Sequence, residues 1–490
     1  MPDRWARRTR QMRHLRKNMF RLSAVALVFA LVAAACGDDE DEAPAPAAEP
    51  AEAAPAEPAE APADDADDMA DEPVADDMAD EAVADDMADE PVADDMADEA
   101  VADDMADKAV ADDMAGGAAD DSLPAVKIGM IAQEEELIAF PEMRAAAEAV
   151  VAYFNAELGG IDGHPVEIDI CGAGDGPESH LACAQRFVND DDIHIVVNGG
   201  IGTNTGASGA VMAEAGLASM PLGNDFGEYL TPGVYTFEPG IPGLSQVLFV
   251  YSAAGGATSA TLFLYDDPSV EVFVPAFQAI AADNGIDMNQ HIPVGFEPDL
   301  TGPISAADMS NDVWMFVLAD GAQCQAAANA AKLIGYDGPI LTLDSCMQVD
   351  VLATGDLDGW VAPMVSSAPT IDGGADVEVI NHIFDTYGSA DAHGAGLGGW
   401  ALGNVMIARE VLIAAGGADA TDESVIATLD SGFTSNTILG FPEVSCPGPA
   451  PWIGACNTAP LMVTVDGTDL TAPDGFFPLD FTELNFLLEG

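Results

Sequence analysis

Basic residues are scarce in this 490-residue chain, which has 14 lysines and arginines against 85 aspartates and glutamates. Eight of those bases lie within residues 1–21, so very few remain in the rest of the chain. Such a chain has no basic face for phosphate groups. This excludes nucleic-acid binding and also adhesion to an anionic bilayer through a polybasic patch.

Signatures of catalysis and of metal binding are absent as well. The chain has no GxSxG, HExxH, GxxxxGK or EF-hand pattern, no CxxC pair, and only scattered histidines. A glycine cluster at Gly172–Gly176 follows a predicted strand, but Pro177 stands where a nucleotide-binding loop has its third glycine. We therefore expect a protein that is not an enzyme and that holds no cofactor and no metal ion.

The longest apolar run near the start, Leu22–Ala35, has 14 residues and is shorter than the roughly 20 that cross a bilayer. Because basic residues precede it, residues 1–35 are predicted to be a secretory signal peptide. The sequence VAAAC at 32–36 resembles the lipobox of bacterial lipoproteins. That resemblance implies export and a lipid on Cys36 that anchors the protein to the outer face of the cell membrane. Simple cleavage after Ala35, leaving a free thiol, is the alternative.

Residues 36–122 comprise that cysteine and a low-complexity segment that follows it. A nine-residue unit, DDMADEPVA or DDMADEAVA, repeats with Met at 69, 78, 87, 96, 105 and 114. Nine residues turn a helix by about half a turn net and are an odd number for a strand, so neither structure would give the repeat one apolar face. Its many like charges repel one another. The segment is predicted to be a disordered acidic linker, and cation binding by its Asp pairs would be weak.

From Leu123 the chain alternates strand and helix patterns, which predicts parallel sheets with helices on both faces. The series restarts after residues 235–244, so we predict two lobes, one over about 123–240 and 367–438 and the other over about 241–366 and 439–490. A small-molecule site is expected between them. The predicted strands are 125–131, 166–170, 193–197, 218–222, 260–264, 290–294, 313–318 and 339–343, and the predicted helices are 140–158, 179–188, 206–215, 272–284 and 323–333.

Six cysteines remain when Cys36 is set aside. An even number in an exported protein indicates disulfide bonds. Proximity along the chain favours the pairs Cys171–Cys183, Cys324–Cys346 and Cys446–Cys456.

Several segments in the same order resemble the branched-chain amino-acid (Leu/Ile/Val-type) substrate-binding proteins of ABC transporters. They are VKIGMI near the start, FNAELGGIDGHPVEI at 154–168, CAQRFVNDDDIHIVVNGG at 183–200, MAEAGLASMPLG at 212–223, AAKLIGYDGPIL at 330–341 and DLDGWVAPM at 356–364. The resemblance spans about residues 124–440. It implies a type I periplasmic-binding fold, in which two α/β lobes are joined by three crossover strands and close on a solute. It also implies delivery of that solute to a membrane permease with its ATPase.

The resemblance also implies which residues bind the solute. The loops that hold the ligand's carboxylate in the family correspond here to Gly202, Thr203 and Asn204 and to Gly223, Asn224 and Asp225. Acids at the ends of second-lobe strands, which bind the ligand's ammonium group, correspond to Asp320 and Asp344. Phe140 is expected to cover the ligand's side chain. Helix capping is the alternative for Thr203 and Asp344, and a place in the core is the alternative for Phe140.

Two departures from the family pattern bear on the solute. Asp225 stands where a threonine is usual, and the first loop has Glu134–Glu136 instead of Ser-Gly or Thr-Gly. A carboxylate at position 225 would repel the carboxylate of an amino acid. Together the two departures favour a cationic, amide or polyamine-like solute. The expected function is capture of a small amino-acid-like, amide or amine solute for an ABC importer. A sensory or adhesive surface lipoprotein with the same lobes is the alternative.

Overall fold

The computed structural model describes residues 117–488, apart from 136–138, 175, 201–203, 365–370, 372–374 and 395. The predicted signal peptide, the lipidation site Cys36 and the linker up to residue 116 lie outside the described residues. So do Gly202 and Thr203 of the predicted site, and the side chain of Asn204. The predictions made for them stay predictions.

The first lobe is built on a four-stranded parallel sheet in the order β2-β1-β3-β4. Successive side chains of a strand point to opposite faces. Accordingly Ile128 and Met130 of β1 enter one apolar cluster, while Ile131 enters another on the opposite face. The strands are β1 Val126–Gln133, β2 Val166–Ala173, β3 Ile193–Asn198 and β4 Ala218–Pro221.

Helices cover both faces of this sheet, as the alternating pattern predicted. On one face α1 packs against α11, and on the other α2 packs against α3. The helices of the chain, in order, are α1 Pro141–Glu157, α2 Pro177–Val188, α3 Asn204–Ala215, α4 Gly240–Ala254, α5 Pro268–Glu271, α6 Val274–Asp283, α7 Thr301–Ile304, α8 Gly321–Ile334, α9 Val349–Leu352, α10 Ala375–Tyr387, α11 Leu397–Ala414 and α12 Asp422–Gly432.

The second lobe contains a seven-stranded sheet in the order β13-β12-β9-β8-β7-β5-β6. Strands β5 to β9 run parallel, whereas β12 is antiparallel to both β9 and β13, an edge that the sequence patterns did not predict. The strands are β5 Ser259–Tyr265, β6 Asp287–Val294, β7 Val313–Val317, β8 Ile340–Leu341, β9 Val361–Met364, β12 Leu461–Asp466 and β13 Asp469–Thr471, and a separate hairpin pairs β10 Thr434–Ser435 with β11 Val444–Ser445.

The chain connects the two sheets three times: after β4, between β9 and α10, and between β11 and β12. The first and third connections lie side by side. Thr236 N–H donates to the Gly454 carbonyl at 2.7 Å, and Cys456 N–H donates to the Thr236 carbonyl at 2.9 Å. The α/β fold with two parallel-sheet lobes joined by crossovers is therefore confirmed.

The three predicted disulfide bonds are present. They join Cys171 to Cys183, Cys324 to Cys346 and Cys446 to Cys456, with Cα–Cα distances of 5.7, 5.4 and 4.6 Å. Each closes a short loop, with sequence separations of 12, 22 and 10 residues.

Helix α11 is the one described helix that is long and apolar enough to cross a membrane by length and composition. It is 72% buried inside the protein, where it packs on α1 and on the first sheet. We therefore regard it as the core helix of the first lobe.

Candidate functional site

A cavity of about 930 Å³, open mouth included, lies between residues of the two lobes. The first lobe contributes the start of α1, the residues after β4 and the start of α11. The second contributes α4 to α6 and the segments that follow β5, β7 and β8. Because the carboxyl ends of parallel strands meet at one edge of a sheet, these loops converge. The apolar walls are Phe140, Leu222, Ile241, Leu244, Leu264, Tyr265, Val270, Phe273, Phe277, Val317, Leu318, Leu343 and Leu397.

Among the described residues that line this cavity, the ionisable groups are the acids Glu142, Glu238 and Asp344 and the phenol of Tyr265. No lysine, arginine or histidine of the described chain lines it. The five bases of the two lobes are held elsewhere, each beside at least one carboxylate. The ion pairs are Lys127 with Asp190 and Asp192, Arg144 with Glu134 and Glu148, Arg186 with Asp169, Lys332 with Asp356, and Arg409 with Glu410.

Glu238 lies in the first connection between the lobes, two residues before α4, and is fully buried. Its Oε2 accepts a hydrogen bond from Asn404 Nδ2 at 3.1 Å, while its Oε1 has no hydrogen-bond partner among the described residues. Burial raises the pKa of the Glu238 carboxyl to about 8, although neighbouring Trp400 and Asn404 favour the charged form. The charge of Asp344 adds to the increase. Glu238 thus presents an unpaired carboxyl oxygen inside an apolar site.

Asp344 begins the 3₁₀ turn Asp344–Cys346, just past β8. Burial raises the pKa of its carboxyl to about 6, against the opposing effect of hydrogen bonds from the backbone of Ser345 and of Asp344 itself. Two contacts hold the turn at the end of β7: Ser345 Oγ donates to the Leu318 carbonyl at 2.7 Å, and Cys346 is bonded to Cys324 of α8. The disulfide therefore positions one of the cavity's carboxylates.

Two more predicted residues line the same cavity. Phe140 precedes α1, is almost fully buried, and donates its N–H to the Gln133 carbonyl at 2.8 Å. Asn224 is buried after β4, and its side-chain Nδ2 donates to the Gly200 carbonyl. Nearby, burial raises the pKa of the Glu142 carboxyl in the first turn of α1. The structure thus brings together Phe140, Asn224 and Asp344.

The other described candidates do not line the cavity. Asp225 Oδ1 accepts from Gly227 N–H at 2.7 Å and so shapes its own turn. Asp320 is the N-cap of α8, where its side chain accepts from Gln323 N–H at 2.8 Å. Gly223 has φ +76°, and a Cβ there would lie 2.1 Å from Tyr229 Oη, so its place demands glycine. Their roles in binding stay predictions.

The Glu134–Glu136 loop is described as far as Glu135. Glu134 forms an ion pair with Arg144 of α1, in which Arg144 Nε donates to Glu134 Oε2 at 2.7 Å. Its charge is therefore balanced locally, and Glu134 does not line the cavity. What this loop means for the choice of solute stays a prediction.

Sequence reasoning missed Glu238 and Glu142. A signal for Glu238 exists, because it is the only charged residue between Glu228 and Asp266. A single acid in a long uncharged stretch is a strong candidate for burial or binding. Glu142 carries no comparable signal. No group of three or more His, Cys, Asp or Glu able to hold a metal ion occurs in the described part of the chain.

Two α/β lobes that enclose a mostly apolar cavity at their strand ends define a solute-binding protein. Residues 125–447 match the model of the periplasmic binding protein family, and the chain belongs to that family. Membership implies an extracytoplasmic location and a solute-binding role of the ABC-transporter type. No curated protein sequence matches the chain.

Solved structures show the same fold. A leucine-binding protein from Thermotoga maritima is 16% identical with a TM-score of 0.55, over 72% of this chain and 98% of that one. An ABC-transporter solute-binding protein from Rhodopseudomonas palustris, in complex with 3,4-dihydroxybenzoic acid, is 14% identical with a TM-score of 0.59, over 72% and 97%. A fatty acid ABC transporter substrate-binding protein from Thermomonospora curvata is 13% identical with a TM-score of 0.60, over 76% and 97%. At these identities the likeness concerns the fold alone.

Proposed function

We propose that this protein is the solute-binding component of an ABC importer and captures a small amino-acid-like, amide or amine solute between its two lobes. The observation that carries the proposal is the cavity between the lobes, with its apolar walls and its carboxyl and amide groups from Asp344, Glu238 and Asn224. An acid and an amide are suited to accept hydrogen bonds from an amine or amide. The protein acts by binding and release, and not as an enzyme.

The solutes named for the similar structures include a benzoic acid derivative and fatty acids. An acid of this kind is an anion at neutral pH, and its carboxylate needs cations or hydrogen-bond donors. The described lining of this cavity has no basic side chain, so these anions are poor candidates here. Amides, amines and zwitterions that carry an ammonium group fit the charge of the site better.

We further propose that a lipid on Cys36 holds the mature protein at the outer face of the membrane, with residues 37–122 as the linker between this anchor and the solute-binding domain. Mass spectrometry of the N-terminal peptide should then find a diacylated Cys36. The variant Cys36→Ser should be released from the membrane fraction. Retention of that variant would contradict the lipid anchor and leave the solute site untouched.

The function is tested by thermal-shift screening of the purified protein against amino acids, amides and polyamines. We expect at least one solute to raise the melting temperature, because a ligand that binds only the folded state stabilises it by mass action. The liganded protein should then stimulate ATP hydrolysis by its reconstituted transporter. If no solute in these classes raises the melting temperature, the proposal fails. Binding without any effect on a transporter would favour the sensory alternative.

A further inference from the structure

We propose that the cavity selects an amine that carries one positive charge on an apolar body, and that the buried carboxylate of Glu238 is the counter-ion of its ammonium group. The proposal rests on the proposed function, since it takes this cavity to be the solute site. Membership of the periplasmic binding protein family does not by itself assign Glu238 to solute binding.

The charge balance of the cavity points to a cation. Glu142, Glu238 and Asp344 line the same space, and Asp344 is close enough to Glu238 to disfavour its ionised form. Two carboxylates that share an apolar site repel each other and are both ionised only at a considerable free-energy cost. A bound ammonium group relieves this cost for either of them. An anion would increase the repulsion.

The hydrogen bonds of Glu238 point the same way. Oε2 is already engaged by Asn404, whereas Oε1 is fully buried and makes no hydrogen bond with a described residue, although the side chain of Trp400 lies near enough to favour the ionised carboxylate. Buried polar atoms are almost always hydrogen-bonded, so an unpaired carboxyl oxygen that borders a cavity marks a place for a donor. An ammonium group supplies that donor together with the missing charge.

The walls indicate what is attached to the ammonium group. Among the described second-lobe residues that line the cavity, Asp344 is the one charged group, and Leu244, Leu264, Phe273, Phe277 and Val317 form an apolar wall. Any charge of a polyamine that lies against this wall, away from the acids, costs desolvation free energy without compensation. A hydrocarbon or aromatic body instead gains about 25 cal/mol for each Å² that it buries there. The cavity thus suits a single charge at one end and an apolar body at the other.

Probes matched in shape separate charge from size. We would titrate the full mature protein calorimetrically with 3-phenylpropylamine, 3-phenylpropionamide and 3-phenylpropionate, and with hexylamine, hexanamide and hexanoate. Spermidine serves as a cation without an apolar body. We expect an amine of at least one body to bind more tightly than its amide by about tenfold or more, the strength typical of one charge-assisted hydrogen bond. The anions and spermidine should bind more weakly still.

The variant Glu238→Gln keeps the shape of the side chain and removes its charge. We expect it to weaken binding of the preferred amine by about thirtyfold or more, because one member of a buried ion pair is lost, and to leave amide binding nearly unchanged. Glu214→Gln makes the same chemical change on the exposed side of α3, away from the cavity, and should leave both affinities unchanged. If Glu238→Gln does not fold, the relative affinities of the amines, amides and anions for the unaltered protein test the proposal.

Equal or tighter binding of an amide or an anion relative to its matched amine would overturn the proposal, as would an amine affinity that Glu238→Gln changes by less than about threefold. Failure of both amines to bind would overturn it as well. In each case a hit among the amino acids and amides of the wider screen would leave the proposed function standing. If that screen also fails, both are wrong.

Discussion

At the scale of single residues, two buried glutamates have strongly raised pKa values. Glu238 and Glu228 are both almost completely inaccessible, and burial raises the pKa of each carboxyl to about 8. Glu228 Oε2 accepts a hydrogen bond from the N–H of Asp225 at 3.2 Å, and the Thr205 side chain and the Asn224 backbone also favour its charged form. In the ligand-free protein at neutral pH both side chains are therefore mostly protonated, and ionising them without a bound cation lowers the stability of the fold.

The pH dependence of stability follows from these pKa values. An unfolded glutamate has a pKa of 4.5, so between about pH 4.5 and pH 8 the folded protein retains protons that the unfolded chain has released. The free energy of unfolding therefore falls as pH rises through this window. Glu238→Gln removes the contribution of one group. We expect the variant to match the ligand-free parent protein at pH 5 and to exceed it at pH 8.5 by about 3–5 kcal/mol.

Chemical denaturation at the two pH values measures this difference, with Glu214→Gln as the exposed control that should show none. The rest of the acidic surface titrates equally in the parent and the variant, so their difference isolates Glu238. A difference that is the same at pH 5 and pH 8.5 would mean that Glu238 ionises normally in the folded protein.

At the scale of elements, the loop from Cys446 to Cys456 supports the segment that carries Glu238. Backbone hydrogen bonds join this loop to Thr236, and Gly454 N–H donates to the Tyr229 carbonyl at 2.9 Å. Trp452 of the loop is fully buried, and its indole Nε1 donates to Asn485 Oδ1 at 2.8 Å. The disulfide thus closes a loop that is hydrogen-bonded to the first connection between the lobes.

Removal of this disulfide should affect both stability and binding. The double variant Cys446→Ser, Cys456→Ser should lose up to about 3 kcal/mol of stability, as expected for a loop of this length. It should also bind solute more weakly, because the Glu238 segment loses part of its support. The matched control is Cys171→Ser, Cys183→Ser, which opens a loop of similar length away from the cavity.

Denaturation and calorimetry with whichever solute the screen identifies provide the two readouts. We expect similar losses of stability from the two double variants and a loss of affinity only from the first. Equal effects on affinity would show that the loop has no particular role at the site.

At the scale of the whole molecule, charge is strongly unbalanced. Residues 123–490 contain 50 acidic and five basic residues, a net charge of −45. All five bases already lie in ion pairs, so most of the negative charge is not balanced by a basic side chain. Such a surface repels itself, and this repulsion opposes the compact state.

Salt should therefore stabilise the protein. Raising KCl from roughly 0.05 to 2 M shortens the screening length severalfold, which weakens repulsion between surface carboxylates. We expect the melting temperature to rise over this range, and cationic or zwitterionic solutes to associate faster than anionic ones at low salt. A melting temperature that stays constant would refute the idea that the surface is adapted to saline surroundings, without affecting the assignment as a binding protein.

Local patterns in the sequence were enough to predict the class of fold. Continuous apolar runs mark buried parallel strands, and helical spacing of apolar residues marks the helices between them. Strand β1 and helix α1 were predicted to within two residues. The three disulfides were also predictable, because each joins cysteines that lie close together along the chain. One predicted helix, 272–284, begins only at Val274, since Pro275 lacks the N–H that an earlier turn would require.

The tertiary structure alone decided which polar groups share the cavity and how strongly their pKa values are shifted. Glu238 is buried because three segments distant in sequence meet around it: the first connection, helix α11 and the lining that contains Asp344. Conversely, Asp320 has the position along the chain of a ligand-binding acid but forms a helix cap. Secondary structure depends on neighbours a few residues away, which the sequence displays. Burial and pKa depend on the low-dielectric surroundings that only long-range packing creates.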